Sequence, residues 1–153
     1  MINGLTRMLF TVAMSAMLLV ACGGPASAPE EELRDWVAAG VEAAEAKERR
    51  KLMGMISSSY ADARGNERAD IESVLRVYFL RQNKIVLLPK IEEITIYDDT
   101  AGKIALSVGM AGTNSGALGF SADAYSFELE LEKGGDDWQL IAARWGELGD
   151  ELR

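Results

Sequence analysis

The sequence contains no histidine, a single cysteine and only three prolines. The absence of histidine excludes Ser-His-Asp and Cys-His catalytic systems, and the common zinc and iron sites that use histidine ligands. The lone cysteine, Cys22, excludes a disulfide within the chain. We therefore expect no metal site and no cofactor, and any catalysis would have to use carboxylates and tyrosines.

Basic residues are also scarce, with 16 lysines and arginines against 24 acidic residues, for a formal net charge of −8. This balance excludes nucleic-acid binding, because phosphate contacts require clustered Lys and Arg. It also argues against a domain that lies flat on an anionic membrane leaflet. The glycines between Gly109 and Gly119 lack the strand-then-helix context that a phosphate-binding loop requires.

The first segment of the chain has the layout of a secretory signal. Arg7 supplies positive charge, an almost wholly apolar run follows from Met8 to Val20, and no acidic residue precedes Glu30. About a dozen apolar residues are fewer than the ~20 that a membrane-spanning helix needs, and are typical of a signal peptide. The run ends in Leu19-Val20-Ala21-Cys22, which resembles the lipobox of bacterial lipoproteins.

This resemblance implies that residues 1–21 are removed and that Cys22 carries lipid on its thiol and its freed amine, which anchors the chain to a membrane. Residues 22–29 would then form a flexible Gly-, Ser- and Pro-rich tether. The alternatives are a signal peptide with an incidental cysteine, or a buried free thiol. Gly23, not aspartate, follows the cysteine; by resemblance to enterobacterial lipoproteins, this favours the outer membrane, with the domain facing the periplasm.

Residues 30–153 are predicted to form one α+β domain with two N-terminal helices. The first helix starts at Glu30, and its apolar stripe resumes after a charged stretch, with a kink or break at Gly54. The second helix follows Asn66, a plausible N-cap. The stripe of the first helix consists of Leu33, Trp36, Val37, Val41, Ala44, Leu52, Met55, Ile56 and Tyr60, and that of the second of Ile71, Val74, Leu75, Tyr78 and Phe79.

Beyond Gln82 the apolar period changes to two, which predicts four antiparallel strands. A bulge is expected between Leu88 and Glu93, and a hairpin turn at Asp98–Gly102. The segment Gly109–Gly119 is interpreted as a longer loop or a frayed strand end. The last strand runs from Trp138 to Trp145.

Helices followed by a curved antiparallel sheet resemble the cystatin-like cone, and in particular the NTF2-like superfamily. The residues that carry this resemblance are Ser59–Asn66, Leu75–Leu80, Asp137-Trp138 and Ala143–Trp145. The resemblance implies a concave sheet closed by helices, often with a pocket at its mouth. Because relatives include isomerases, dehydratases, ligand binders and interaction modules, the fold alone does not choose a function. The chain departs from many relatives in showing no evident strand after the first helix.

The candidate catalytic residues are Tyr60, Asp62 and Asp123, with Tyr78 and Tyr125 as possible additions. In relatives that resemble ketosteroid isomerase, a carboxylate moves a proton while a tyrosine stabilises an oxyanion. The structural alternative is that Asp62 holds the turn formed by residues 64–66, and this alternative is favoured.

Five aromatic residues are candidates for lining a pocket, although large aromatics on a sheet usually form the core: Tyr60, Tyr78, Phe127, Trp138 and Trp145. The outward row Glu128, Glu130 and Glu132 is interpreted as a solvated face. Its carboxylates are ~6–7 Å apart along the strand, too far for a single-ion cage.

We therefore expect a non-enzymatic module tethered in the periplasm, which binds a small apolar ligand or an envelope protein. One alternative is an isomerase or dehydratase that uses Asp62 or Asp123 with a tyrosine. Another is a purely structural envelope lipoprotein.

Overall fold

The computed structural model describes residues 28–114 and 120–153, so Cys22 and the predicted signal peptide lie outside the described residues. The described chain has an α+β fold, as expected. No helix within these ranges is long and apolar enough to span a membrane. The elements are α1 (Ala28–Glu45), α2 (Arg49–Gly54), β1 (Ile56–Asp62), α3 (Arg68–Arg81), β2 (Gln82–Asp98), β3 (Ala101–Asn114), β4 (Phe120–Gly134) and β5 (Asp137–Glu147).

The sheet has five strands in the order β1-β5-β4-β3-β2, in which β2 to β5 form an antiparallel meander and β1 runs parallel to β5. The prediction of a four-stranded, wholly antiparallel sheet was therefore wrong. The prediction that no strand follows the first helix was wrong as well. The missed strand contains Ile56 and Tyr60, whose spacing of four residues also fits a helical stripe. Pairing with β5, more than 80 residues later in sequence, decides the conformation: Ile56 lies opposite Leu140 and Asp62 opposite Ala143.

The segment predicted as the first helix contains two helices and a strand. Helix α1 ends at Glu45, α2 runs from Arg49 to Gly54, and β1 begins at Ile56. Helix α1 begins at Ala28, two residues before the predicted start. After α2 the backbone of Met55 turns into the sheet, where its carbonyl accepts a hydrogen bond from the Leu140 N–H at 2.9 Å.

Helix α1 packs across the concave side of the sheet and forms the main core with it. Leu33, Ile104 and Leu131 are at most 1% exposed, and Val37, Leu106 and Trp138 complete the buried cluster. Burying each such side chain contributes roughly 1.5–3 kcal/mol. The contact is close, since a Cβ added to Gly102 would lie 3.0 Å from Leu33 Cδ1.

Two indole hydrogen bonds fix the start of α1 against the β4–β5 hairpin. Trp36 Nε1 donates to the Trp138 carbonyl at 3.1 Å, and Trp138 Nε1 donates to Glu32 at 2.7 Å. Lys133 Nζ also lies 2.7 Å from Glu32, and this lysine together with the indole holds the pKa of the Glu32 carboxyl below its usual value. The N-terminus of α1 therefore lies at the hairpin end of the cone.

The predicted irregularities of the long strands are largely confirmed. The β2–β3 register shifts between Ile91 and Glu93, and Asp98 closes the hairpin by accepting hydrogen bonds from the N–H and hydroxyl of Thr100 at 2.7 and 2.8 Å. The prediction placed the start of the loop too early, at Gly109. Strand β3 continues to Asn114 and pairs with both neighbouring strands. Residues 115–119 lie outside the described residues.

Helix α3 confirms the predicted second helix but not its cap or its buried stripe. A capping box formed by Glu67 and Asp70 begins the helix, whereas Asn66 bonds to Asp62 instead. No residue of α3 is buried, and Val74, expected on the stripe, is 62% exposed. The helix crosses from the β1 edge to the β2 edge of the sheet, and the side chains of Ile71, Leu75, Tyr78 and Phe79 are half-buried.

We predict that Leu33→Ala lowers the free energy of unfolding by about 2–5 kcal/mol, because it leaves a cavity against Ile104 and Gly102. Urea unfolding monitored by circular dichroism measures this change. The matched control is Leu148→Ala, since Leu148 is 60% exposed and its truncation should change the free energy by less than about 0.5 kcal/mol. Equal effects of the two substitutions would contradict the assignment of the core.

Candidate functional site

The concave face of the sheet divides into a closed half and an open half. At the hairpin end, Ile104, Leu106, Leu131 and Trp138 are buried beneath α1. At the other end, the inward side chains of Val108, Met110, Tyr125, Phe127 and Trp145 are half-buried. Ile85 is buried there, and Val108 and Phe127 also pack against the core cluster. We call this open half the mouth, and its polar and aromatic residues are Tyr78, Asp123, Tyr125, Phe127 and Trp145.

The aromatic residues of the mouth form a continuous surface. The ring of Tyr125 meets Trp145 edge to face, with centroids 6.2 Å apart at 67°, and lies 6.4 Å from Phe127. The sheet register explains this arrangement, because Phe127 lies directly opposite Trp145 on the neighbouring strand. Such edge and tilted contacts are the geometries that aromatic quadrupoles favour.

Helix α3 brings Tyr78 to the same place from the opposite side of the mouth. Burial raises the pKa of Tyr78, and the nearby Asp123 carboxylate and Tyr125 raise that pKa further, because negative charge disfavours the tyrosinate. The phenol is therefore neutral at physiological pH. Asp123 itself is exposed and lies on the inward side of β4, opposite Met110.

Asp62 is buried, with 8% of its surface exposed, and its carboxylate is occupied by the turn that follows β1. Oδ1 accepts hydrogen bonds from the N–H groups of Arg64 and Asn66 at 2.9 and 2.8 Å, and Oδ2 accepts one from Asn66 Nδ2 at 2.7 Å. Burial raises the pKa of Asp62, but these bonds and one from the Trp145 side chain outweigh it and lower the pKa overall. Asp62 therefore holds the turn, and a carboxylate stabilised in this way is a weak general base.

Tyr60 lies on β1 and not on a helix, and it is 4% exposed. Burial, with a smaller contribution from the charge of Asp62, raises the pKa of Tyr60 to about 12. The hydroxyl is neutral, and the neighbouring carboxylate of Asp62 is already committed to the turn. Tyr60 and Asp62 are therefore close in space without forming a free acid–base pair.

Arg64 borders the mouth, although the sequence alone did not indicate it. Its guanidinium lies 3.6 Å from the centre of the Trp145 ring, in cation–π geometry, and its Nη2 donates to the Trp145 carbonyl at 3.0 Å. The C-terminal residues reach the same strand, because the N–H of Trp145 donates to the Arg153 carbonyl at 3.0 Å. Neither contact had a signal in the sequence, since both join residues far apart in the chain.

A depression of about 570 Å³ opens beside these residues. Trp138, a predicted pocket residue, is buried in the core cluster and also borders a separate depression of about 490 Å³ beside α1 and α2. The residues that line the depression are Arg64, Tyr125, Trp145, Gly146, Glu147, Asp150, Glu151 and Arg153.

The outward glutamate row lies on the opposite face of the sheet from the mouth. Glu128 forms ion pairs with Arg144 and, at 3.9 Å, with Lys103. Within residues 28–114 and 120–153, no group of three or more acidic or cysteine side chains could hold a metal ion.

Comparison with known proteins places the domain by its fold. No protein-family model matches the sequence, and no curated protein matches it either. Solved structures do match the fold. A candidate dehydratase of the NTF2-like family from Streptomyces avermitilis has a TM-score of 0.64 at 10% identity, with 76% of this chain and 94% of that chain covered.

Two further structures have the same fold but belong to proteins described as having other roles. A ketosteroid isomerase-like protein from Erwinia carotovora atroseptica has a TM-score of 0.63 at 11% identity, over 78% of this chain and 96% of that chain. A candidate calcium/calmodulin-dependent protein kinase II association domain from Xanthomonas campestris has a TM-score of 0.69 at 14% identity, over 84% and 94% of the two chains. The described domain therefore has the NTF2-like fold, and likeness at this level of identity establishes the fold alone.

We predict that Asp62→Asn lowers the free energy of unfolding by about 1–3 kcal/mol near neutral pH, since it removes charge-assisted hydrogen bonds. The folded-state pKa of Asp62 is below the ordinary value of 3.8, so the stabilising effect of the carboxylate is fully present above that value. It is lost as the pH falls from 3.8 through the folded-state pKa. Urea unfolding of both proteins at a series of pH values should show the difference shrinking in acid.

The control for this substitution is Asp136→Asn on the exposed β4–β5 turn, which makes none of these hydrogen bonds. It should leave the free energy of unfolding unchanged at every pH. A difference between wild type and Asp62→Asn that stayed constant down to the acid limit would contradict the role given to the carboxylate.

Proposed function

We propose that this chain is a lipoprotein anchored through Cys22, and that its domain binds a small apolar ligand in the mouth without catalysing a reaction. The observation that carries the proposal is the uneven burial of the concave face. The half beneath α1 is filled, whereas aromatic side chains of the other half remain half-exposed. The rings of Tyr125, Phe127 and Trp145 supply the apolar surface, and the adjoining depression is lined mostly by charged side chains. Ligand sites usually combine a concave apolar surface with a few polar groups.

The polar groups near this surface suit a ligand that carries one hydrogen-bonding group. The carboxylate of Asp123 and the phenol of Tyr78 lie at the mouth.

Enzymatic function has weaker support than binding. A general base must lie within hydrogen-bond reach of the proton that it removes, preferably in a site that excludes water. Asp62 is committed to its turn, and Asp123 is exposed. Isomerase and dehydratase descriptions belong to proteins that share the fold at 10–11% identity, and they supply no residue for this chain.

The anchor and the mouth would lie at opposite ends of the domain. Cys22 is six residues before Ala28, where α1 begins, so the tether spans at most about 20 Å. The start of α1 is fixed at the hairpin end by the contacts of Glu32 with Trp138 and Lys133. The mouth would therefore face away from the membrane and into the periplasm, with the outer membrane as the expected location.

We predict that Cys22→Ala abolishes labelling of the protein by radioactive fatty acid and releases it from the membrane fraction. The thiol that accepts the diacylglyceryl group is absent from this variant. Fatty-acid labelling and fractionation of cells that express each form measure both effects. Gly23→Ala, which keeps the cysteine, is the control and should be labelled like wild type. Labelling of the cysteine-free variant would refute the anchor.

We predict that the fluorescent apolar probe phenylnaphthylamine binds the purified protein saturably, and that Tyr125→Ser weakens this binding about tenfold. The substitution removes the ring that joins Phe127 to Trp145 in the mouth, a loss of one central aromatic contact. Fluorescence titration measures the dissociation constant. Tyr97→Ser is the matched control, because Tyr97 is 60% exposed at the end of β2, and it should not change the affinity.

The unfolding curve of each variant checks that the mouth substitution leaves the fold intact. Failure of the wild-type protein to bind the probe saturably would favour a purely structural lipoprotein. Equal weakening by the two tyrosine substitutions would place the probe outside the mouth.

A further inference from the structure

The outward face of α3 is apolar and uncovered. Val74, Val77 and Leu80 recur every three residues on this face and are 62%, 47% and 81% exposed. Half of the exposed large hydrophobic side chains of the described residues belong to this one stripe. Residues at such spacing are neighbours on a helix surface, so they form a continuous strip and are not scattered exposures.

The same helix directs a second apolar face toward the sheet, through Ile71, Leu75 and Tyr78. A helix that is apolar on two opposite faces is normally covered on both of them. The sheet covers the inner face of α3, and no described element covers the outer face. This asymmetry indicates a surface that is completed by another molecule.

Positive charges adjoin the apolar strip in a chain that is acidic overall. Arg76 and Arg81 are exposed on the same helix, and Lys84 follows at the start of β2. Within the described residues, none of these three side chains forms an ion pair, in contrast to Arg49, which pairs with Glu72. The surface therefore complements a molecule with apolar and acidic groups side by side.

The exposed charges of α1 favour a protein partner over a lipid surface. Helix α1 exposes Glu31, Asp35 and Glu42. The basic helix α2, which contacts both α1 and α3, is partly neutralised, since Arg49 pairs with Glu72 and Lys51 lies within 4 Å of Glu42 and Glu48. A uniformly anionic leaflet would attract α3 but repel α1. The predicted tether also leaves from the start of α1. The other end of this helix, about 27 Å away, is followed by Lys47, whose Nζ donates to the carbonyl of Gln82 just after α3.

We propose that the outward face of α3, made of Val74, Val77 and Leu80 with Arg76 and Arg81 beside them, docks an acidic amphipathic segment of another envelope protein. The location of that partner in the envelope rests on the proposed function, whereas the chemistry of the surface does not. The apolar face of the partner segment would pack against the strip on α3, and acidic residues of the segment would pair with the arginines at its rim. The rim charges direct the encounter and reject segments of the wrong sign.

The test uses the purified full-length protein and a displayed library of amphipathic helical peptides with randomised flanking charges. We expect the selected peptides to carry Asp and Glu beside their apolar stripe. Leu80→Ser should weaken their binding about tenfold, because it removes the most exposed apolar contact. The double substitution Arg76→Glu with Arg81→Glu should reverse the selection toward basic peptides.

Each variant is also tested for phenylnaphthylamine binding and for unfolding by urea, and both should match wild type because these positions lie outside the mouth and the core. If a variant lost probe binding but kept peptide binding, the proposed ligand site would be wrong and the docking proposal would stand. Tyr97→Ser again serves as the control that leaves peptide binding unchanged.

Three results would overturn the docking proposal. The first is selection of peptides without acidic residues, or of none. The second is binding to vesicles of phosphatidylethanolamine and phosphatidylglycerol that Leu80→Ser abolishes, which would assign the face to a membrane. The third is self-association in sedimentation that Leu80→Ser abolishes, which would assign the face to a second copy of the chain.

Discussion

The insertion of α1 into one half of the concave sheet is the constraint on which the other features depend. Leu33 and Val37 fill the hairpin end against Ile104 and Leu131, and the indoles of Trp36 and Trp138 fix the helix there through hydrogen bonds. One helix of this length covers only part of the long strands β2 to β4. The opposite half of the concave face therefore depends on α3 for cover, and α3 has no fully buried side chain.

This division separates the main buried cluster from a part of the concave face that stays accessible. The mouth keeps aromatic and polar groups partly exposed, and binding residues are often positioned in this way by a rigid scaffold. Asp62 links the two parts, because it holds the turn that starts α3 and accepts a hydrogen bond from the Trp145 side chain. The proposed anchor lies at the closed end of the domain. The proposed partner surface lies on α3, the helix that covers the open end.

The local patterns in the sequence predicted the α+β class, helical structure over most of residues 28–54 and 68–81, the bulge in β2 and the hairpin at Asp98. They did not predict β1, because its apolar residues fit a helix and its conformation depends on parallel pairing with β5 far along the chain. The candidate residues Tyr78, Asp123 and Tyr125 do converge, but Arg64 and the C-terminus could not be foreseen. Their contacts with Trp145 arise from tertiary packing that no local spacing encodes.

The concave face has a filled half and an open half, and we propose that ligand binds in the open one. Amide hydrogen exchange, measured with and without saturating phenylnaphthylamine, distinguishes the two halves. We expect slower exchange on ligand binding in α3 and in the part of β4 around Tyr125, with no change in α1 around Leu33 and Val37. Protection confined to α1, or an equal change throughout the domain, would show that the ligand does not bind in the mouth.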